Sequence, residues 1–426
     1  MDVSVPAKPA NRWNQPDLAR RVIHALDVAR QAIQTLVEAD SARGERGAPA
    51  NAASMFPSEK LVSETAMLLL VVDPIRSLDK RIQDHVELVA DLLIPRARHE
   101  DVRAAICLDP GLARDHAFAH VLLSRLGYPD PDVDQLLSKS LAMGVDFGPE
   151  RLPHRRLEQA WLARLWKAGE PPSRLDSRLV ADSMLGRPID TLGSTRFDFY
   201  AFTHAVMYAT DLGERRIALN RSKAAIAADA EAALAYSLDA NELDLAAEVL
   251  LTWPMLRIAW SSAATFAFGI LANVEDNLGF LPGSAFDLAR YQTLTGDDRS
   301  RYALMTSYHS AYVMGFLCAV ALRPGCAPPA AVPPSRRFRD AGKALLRLVN
   351  TDRPSCWIEP FGALGPRQQD SVAPLVLAAV LRRAKTEGNL RMIREALEIA
   401  LAYDLIDAPT PIQAAALLRR SQTLQL

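Results

Sequence analysis

Apolar residues recur along the chain at the three- and four-residue spacing of amphipathic helices. In the segment 17–40 this spacing is kept by Leu18, Val22, Ile23, Leu26, Ala29, Ile33 and Val37. Such a repeat places its members on one face of a helix. The period-two alternation typical of strands nowhere extends beyond a few residues. The pattern therefore predicts an all-α protein.

Short breaks interrupt this pattern from residue 58 onward. Breaks such as Asp73-Pro74 and Asp109-Pro110-Gly111 combine a helix stop with a residue that starts the next helix. The helices predicted downstream include 197–210, 222–235, 242–251, 256–274 and 301–322. Helices joined by short breaks form αα-hairpins, and no fixed-period repeat is present. We expect consecutive αα-hairpins, arranged as an α/α-toroid-like fold or an irregular α-solenoid.

Two of the middle helices, 197–210 and 256–274, are apolar on almost every side. A helix of this kind is surrounded by other helices. This favours a closed or globular arrangement, such as a toroid in which an inner ring of apolar helices encloses a cavity, over an open solenoid.

Composition divides the chain into four predicted segments. Residues 1–57 form an N-terminal helical arm and linker, because positions 41–57 are rich in Ala, Gly, Asn and Pro. Residues 58–322 form the main helical domain. A Pro-rich connector at 323–337 leads to a C-terminal helical segment at 338–426. The first helix is thus expected to pack apart from the rest.

The charge and cysteine content limit the partners. The 426 residues carry 49 Lys and Arg against 50 Asp and Glu, a formal charge of -1, so no global field favours nucleic acid or an anionic membrane. The scattered cysteines are typical of a reduced compartment; they are Cys107, Cys318, Cys326 and Cys356. No apolar run approaches the ~20 residues of a membrane span, and no signal peptide is recognisable. We expect a cytoplasmic protein, and the oligomeric state stays open.

The helix 197–210 carries the first candidate site. On a helical wheel, about 40° on either side of His204 includes Phe197, Tyr200, Tyr208 and Asp211. A carboxylate or phenol beside an imidazole selects its tautomer and tunes proton transfer. The alternative is a hydrogen-bonded core histidine, with Asp211 as a capping or salt-bridged residue.

The helix 301–322 repeats the arrangement. One face carries Tyr302, Met305, His309, Tyr312 and Phe316. Two such faces could meet across a cavity. The candidate catalytic residues are therefore His204, Asp211, His309, Tyr208 and Tyr312.

Two further features have a structural and a functional interpretation. Glu64 stands in an apolar helix, where a carboxylate must be paired or protonated; it marks a site or bridges to an arginine. His116 and His120 have the i, i+4 spacing of a metal-binding pair, but no third ligand is apparent, which favours core histidines.

Motifs for nucleotide, dinucleotide, nucleophilic-serine or zinc chemistry are absent. The sequence predicts no cofactor and no metal.

The segments 188–213, 126–137 and 301–316 resemble an uncharacterised bacterial all-helical family whose members often lie beside natural-product biosynthesis genes. The resemblance covers about residues 58–322 and implies a role in a pathway. Together with the two histidine stripes, it favours an enzyme of bacterial specialised metabolism. This enzyme would tailor or cyclise a small molecule or peptide by acid/base chemistry in an aromatic-lined helical cavity. The alternative is a non-catalytic helical interaction or scaffold protein that binds a partner enzyme or peptide.

Overall fold

The computed structural model describes residues 14–46, 58–143, 150–166, 177–336, 340–349 and 355–423. The structure is 74% helical, and these residues contain no strand. The all-α prediction is confirmed. In the N-terminal half the helices are α1 (Gln15–Arg46), α2 (Ser58–Val72), α3 (Lys80–Ala97), α4 (Glu100–Leu108), α5 (Ala113–His116), α6 (Phe118–Arg125), α7 (Pro131–Ala142), α8 (Pro153–Trp166), α9 (Ser177–Asp182) and α10 (Arg196–Ala209). They are followed by α11 (Lys223–Asp239), α12 (Leu243–Leu250), α13 (Thr252–Leu256), α14 (Ser262–Leu278), α15 (Leu288–Thr293), α16 (Gly296–Ala321), α17 (Ala341–Leu346), α18 (Ile358–Gly362), α19 (Pro366–Thr386), α20 (Leu390–Ala402) and α21 (Pro409–Thr423).

Capping residues determine where many of these helices begin. Asp79 and Asp130 accept backbone N–H bonds at the start of α3 and α7, and Pro131 occupies the first position of α7. Ser222 caps α11 in the same way. These side chains satisfy N–H groups that have no partner within the helix. The Asp-Pro breaks in the sequence are helix boundaries: α7 begins at Asp130-Pro131, and α2 and α4 end directly before Asp73-Pro74 and Asp109-Pro110.

Helix α1 is not a separate arm. Its apolar face, including Leu18, Val22, Leu26 and Ile33, is fully buried, and α1 packs against α16, α3 and α2. A Cβ at Gly315 of α16 would lie 2.4 Å from the Cβ of Ala25, so the glycine permits this close approach. The helix also continues to Arg46, beyond its expected end. Residues 47–57 of the predicted linker lie outside the described residues.

Helix α16 is the central helix of the N-terminal three quarters of the chain. It contacts α1, α2, α12 and α13, and its residues from 310 to 321 are all buried. Within the described residues, α16 is the single helix that is long and apolar enough to cross a membrane, and 72% of its apolar window is buried inside the protein. Burial of this extent is what the core helix of a water-soluble protein shows.

Six helices contact one another in a closed sequence. Helix α2 contacts α6, α6 contacts α8, and α8 contacts α10; α10 contacts α12, α12 contacts α16, and α16 returns to α2. Helices α1, α3, α11 and α14 pack outside this ring. The α/α-toroid and the irregular solenoid remain predictions, but the ring provides the walls of a cavity.

The predicted helix 256–274 begins later in the structure, and a break at residues 257–261 separates it from α13. Helix α13 ends at Leu256, Arg257 adopts a left-handed conformation with φ of 52°, and α14 begins at Ser262. Ser261 caps α14 by accepting from the N–H of Ala264. Apolar periodicity alone does not detect such a break, since Trp253, Met255 and most residues of α14 are buried.

Helix α19 of the C-terminal segment packs against α11 and α14, which in turn contact α12 of the ring. Buried Arg383 of α19 forms an ion pair with Asp239 at the end of α11, at 2.7 Å. The Pro-rich connector is irregular over its described residues 323–336, and several hydrogen bonds anchor it, two of them from side chains outside the connector to its carbonyls. Trp260 Nε1 donates to the carbonyl of Cys326, and Gln368 Nε2 to that of Val332.

Candidate functional site

A cavity of about 970 Å³ lies inside the ring of six helices. All six helices contribute side chains to its walls, together with α5, Leu112 and the loop at 283–285. The polar and aromatic lining residues are Glu59, Lys60, Ser63, Glu64, Asp115, His116, Phe118, Arg155, Glu158, Arg196, Phe197, Tyr200, His204, Tyr208, Asp244, Glu248, Ser284, Thr306, Tyr308, His309, Ser310, Tyr312 and Phe316. This volume is within the range of pockets that hold a small organic molecule.

Both predicted histidine stripes face this cavity. On α10, Phe197, Tyr200, His204 and Tyr208 line one wall. Asp198 stabilises the start of α10, because its carboxylate accepts hydrogen bonds from the backbone N–H and the hydroxyl of the capping residue Thr195. On α16, Met305, His309, Tyr312 and Phe316 line a second wall, which α12 separates from α10, whereas Tyr302 does not reach the cavity. The common void expected from the two helix faces is present.

The buried carboxylate of Glu248 lies between the two imidazoles. Its Oε1 is 3.5 Å from His309 Nε2, and its Oε2 is 3.9 Å from His204 Nε2. Thr203 on α10 donates its hydroxyl to Oε2 at 2.7 Å. Burial opposes ionisation of Glu248, but the hydrogen bond and charge of His309 and the charge of His204 outweigh it and lower its pKa. Glu248 is therefore a fixed anion.

His309 is held between two carboxylates. Its Nδ1 lies 3.1 Å from Oε1 of Glu64 on α2, and its Nε2 faces Glu248 on α12. Burial lowers the pKa of His309, but Glu64 and Glu248 together raise it to about 10. At neutral pH the ring is a cation, and each of its nitrogens faces a carboxylate. Lys60 Nζ lies 3.6 Å from the same Oε1 of Glu64.

The environment of His204 differs from that of His309. Its side chain is one quarter exposed, and its Nε2 faces Glu248. Its Nδ1 is buried and has no hydrogen-bond partner in the part of the chain that the structure describes. The ring lies edge-on to Tyr208 at 6.0 Å between centroids. His154, 5.7 Å away, has its pKa lowered to about 4 by burial and by the charge of His204.

The predicted tyrosines line the cavity, but their hydroxyls are already engaged. Tyr208 donates to Glu158 Oε1 at 2.7 Å. Tyr312 lies 3.0 Å from Thr65 Oγ1, whose own proton goes to the Leu61 carbonyl, so the phenol is the donor. Burial raises the pKa of both phenols well above the usual value. They remain neutral and orient their neighbours.

Asp211 is not in the cavity, which corrects its assignment to the His204 stripe. Helix α10 ends at Ala209, and Asp211 adopts a left-handed conformation with φ of 54°. The 100° step per residue therefore no longer applies to it. Its carboxylate accepts from Trp161 Nε1 at 2.6 Å and forms ion pairs with Arg164 at 3.0 Å and Arg215 at 3.2 Å. Asp211 is therefore a salt-bridged residue, which was the alternative interpretation of its position in the sequence.

His116 and His120 do not form a pair, because the helix is interrupted at Ala117 between α5 and α6. His116 lines the cavity 3.7 Å from Glu59. His120 is buried, with Nε2 3.0 Å from Asp134 and Nδ1 accepting from Arg98. Among the described residues no group of three His, Cys, Asp or Glu side chains has the arrangement of a metal site.

Three buried carboxylates of the cavity were not identified from the sequence: Glu158, Asp244 and Glu248. Asp244 and Glu248 stand four residues apart in the apolar segment 243–251, and both are buried. The signal that singled out Glu64, a carboxylate within an apolar helix, is present there too. Its application to α12 would have found both.

Comparison with known proteins places the chain in a family. A family model described as a domain of unknown function, DUF6895, matches residues 25–319, more than half of the chain. The chain belongs to this family. The DUF6895 domain extends from the middle of α1 to the last turn of α16 and includes all the walls of the cavity. Neither the curated proteins nor the solved structures provide a match.

Proposed function

We propose that this DUF6895 protein is an enzyme that performs acid/base chemistry on a small molecule or peptide inside the ring cavity. The observation that carries the proposal is the placement of the buried anion Glu248 between two imidazoles. Among the described residues, the buried Nδ1 of His204 has neither a hydrogen-bond partner nor a carboxylate beside it, whereas Nδ1 of His309 faces Glu64. Strongly perturbed titratable groups that converge in a cavity are typical of active sites.

His204 is assigned as the proton-transferring group. In its neutral form with the proton on Nε2, it presents the lone pair of Nδ1 for a proton from the substrate. The imidazolium that forms then has Nε2–H directed at Glu248, 3.9 Å away. A carboxylate in this position stabilises the charged ring and maintains its orientation. Return of the proton from Nδ1 to another substrate atom completes the cycle.

His309 is assigned as a fixed cation rather than a proton carrier. Two carboxylates keep it protonated through the neutral range. A group whose pKa lies far above the working pH transfers protons inefficiently, but it can stabilise negative charge that develops on a substrate. This differs from the equal roles that the two matching sequence stripes suggested.

The biological setting of the proposal comes from the sequence resemblance. It implies a bacterial cytoplasmic protein that acts in specialised metabolism, on a natural product or peptide that is tailored or cyclised. The toroid-like arrangement and the acid/base mechanism belong to the same proposal. A cavity walled by six helices suits an enclosed reaction of this kind.

A second candidate is a non-catalytic interaction protein, favoured by one observation at the mouth of the cavity. Phe197 lines the cavity yet is 82% exposed, and Met305 is 37% exposed. Exposed apolar side chains beside a groove are typical of protein or peptide docking. Such a protein would bind a partner enzyme or peptide without turnover.

Substitution of His204 by glutamine tests the enzyme proposal. The purified protein is incubated with a small-molecule extract of the cells that carry its gene, and mass spectrometry follows metabolites that change with time. We expect the wild type to convert at least one metabolite, and His204→Gln to slow this conversion by about a hundred-fold or more, the usual contribution of a general acid or base. The melting temperature should stay within about 2 °C, because His204 is partly exposed and its Nδ1 has no partner in the described structure.

The matched control is His85→Gln, which changes a partly exposed histidine outside the cavity. It should retain the wild-type rate. A folded His204→Gln variant with full activity would remove the residue from the mechanism. A wild type that changes no metabolite but captures a partner protein would support the interaction protein instead.

A further inference from the structure

One ion cluster at the edge of the cavity has an excess of negative charge. Arg196, the first residue of α10, places Nη2 3.2 Å from Oε2 of Glu242 and 3.4 Å from Oδ2 of Asp244. A single guanidinium thus forms ion pairs with two carboxylates, and both carboxylates are largely buried. The neighbouring pair Arg155–Glu158, by contrast, contains one charge of each sign. When both carboxylates are ionised, the Arg196 cluster has one negative charge that the guanidinium does not compensate; burial raises the pKa of Glu242, while Arg196 lowers it.

Asp244 is the carboxylate of this cluster that lies at the cavity wall. Its side chain is only 5% exposed and lines the cavity wall. Both of its partners, the Tyr200 hydroxyl at 2.8 Å and Arg196, contact Oδ2. The other oxygen, Oδ1, is buried and has no hydrogen-bond partner within the described residues. A buried carboxylate oxygen without a donor is costly, and the group that suits it is an N–H or O–H donor, above all a charged one.

We propose that Asp244 binds the cationic group of an organic ammonium ligand, and that the substrate class of this cavity is therefore amines. This inference rests on the proposed function, and it specifies the substrate for the same site. The ammonium group would donate to Oδ1 and offset the excess charge of the cluster. Phe197, one turn before Tyr200 on α10, adds aromatic surface beside the same end of the cavity.

The helices also indicate how far the reacting atom lies from the ammonium group. Asp244 and Glu248 are four residues apart on α12, as are Tyr200 and His204 on α10, so each pair spans about 6 Å along its helix. A ligand anchored at Asp244 thus presents to His204 and Glu248 an atom roughly 6 Å from its nitrogen. This corresponds to a short aliphatic or aromatic amine rather than to ammonium itself.

Two alternatives to an amine ligand lead to different expected results. Asp244 lies in the first turn of α12, where the helix dipole stabilises a carboxylate without any ligand. Alternatively, Arg196 could hold an anion, because its Nε also lacks an acceptor in the described structure. The charge of Arg196, however, is already offset twice over by Glu242 and Asp244. The anion is thus disfavoured.

Three probes of similar shape separate these cases: phenethylammonium, neutral 2-phenylethanol and the anion phenylacetate. Binding to the full-length protein at pH 7 is measured by saturation-transfer NMR and calorimetry. We expect phenethylammonium to bind about ten-fold or more tightly than either of the other two, a difference of about 1.4 kcal/mol. Equal binding of all three, preference for phenylacetate, or no binding at millimolar concentration would overturn the proposal.

Asp244→Asn keeps the shape of the side chain and removes its charge. It should weaken phenethylammonium binding about ten-fold while leaving 2-phenylethanol unchanged. The control Glu59→Gln removes an exposed cavity carboxylate and should leave both probes unaffected, since the charge of Glu59 is screened by water. If Asp244→Asn lowers stability but leaves phenethylammonium binding unchanged, the carboxylate serves only the start of α12 and the proposal is wrong.

The binding experiment tests the ligand class and the turnover experiment tests the enzyme, so a negative result in one does not decide the other. Amine preference without any conversion of metabolites would retain the ligand class and contradict the proposed enzyme. Conversion of only neutral or anionic metabolites would retain the enzyme and contradict the amine.

Discussion

Replacement of Arg21 by methionine is expected to lower the free energy of unfolding by about 3–5 kcal/mol, the usual cost of breaking a buried ion pair from one side. Arg21 on α1 is fully buried, and its Nη1 donates to the buried carboxylate of Glu275 in the last turn of α14. Its Nη2 donates to both oxygens of Asp276 at 2.9 Å. Burial opposes the charge, but Glu275 and the other carboxylates outweigh it and raise the pKa of Arg21. Without the guanidinium, Glu275 would be an uncompensated charge at a helix end whose dipole already disfavours it.

The adjacent arginine provides the matched control. Arg20 also contacts Asp276, at 2.8 Å, but its side chain is 55% exposed. Arg20→Met should therefore cost no more than about 1 kcal/mol, as is usual for an exposed ion pair. Urea denaturation followed by circular dichroism measures both variants. Equal effects of the two substitutions would show that α1 is not held to α14 by the buried pair. A double variant, Arg21→Met with Glu275→Gln, should recover part of the loss.

This buried pair also shows why the sequence was misleading about α1. The polar and Gly-containing stretch after residue 40 is typical of a linker, and it suggested a separate arm. Whether a helix packs against a distant partner depends on residues more than 250 positions away, such as Glu275 and Gly315. Hydrophobic periodicity predicted the helix and its buried face, but it contains no information on which other helix covers that face.

Local signals predicted the helices and both histidine faces of the cavity. His204 and His309 lie where their helical wheels placed them, because α10 and α16 are regular through these positions. The prediction for Asp211 was wrong because the wheel was continued past Ala209, where the chain leaves the helix. The partners of the two histidines could not be derived in the same way. Glu64 and Glu248 reach His309 only because α2, α12 and α16 meet in the ring.

The fixed charge of His309 should be visible in the pH dependence of stability. The pKa of this side chain is raised to about 10 in the folded protein by Glu64 and Glu248 against the effect of burial, and an unfolded histidine has a pKa of about 6.5. Between these values the folded state binds one more proton than the unfolded state. The stabilisation is therefore complete below pH about 6.5 and is lost as the pH rises towards 10.

We expect the free energy of unfolding of the wild type to fall by several kcal/mol between pH of about 6.5 and about 9.5, because each unit of pKa difference corresponds to about 1.4 kcal/mol. His309→Gln should be less stable at the lower pH, since Glu64 and Glu248 lose their shared cation. The free energy of unfolding of this variant should also fall much less between these pH values than that of the wild type. Burial raises the pKa of the adjacent Tyr308 and Tyr312 above this window, so these phenols do not contribute to the difference.

Urea denaturation at several pH values gives the two curves, and His85→Gln serves as the control that should keep the wild-type slope. Two carboxylates can retain a proton on an imidazole this far above its usual pKa only if both remain ionised and close to the ring. Parallel curves for the wild type and His309→Gln would mean that His309 is neutral in the folded protein. It would then be a proton carrier of the same kind as His204, and the assignment of separate roles to the two histidines would be wrong.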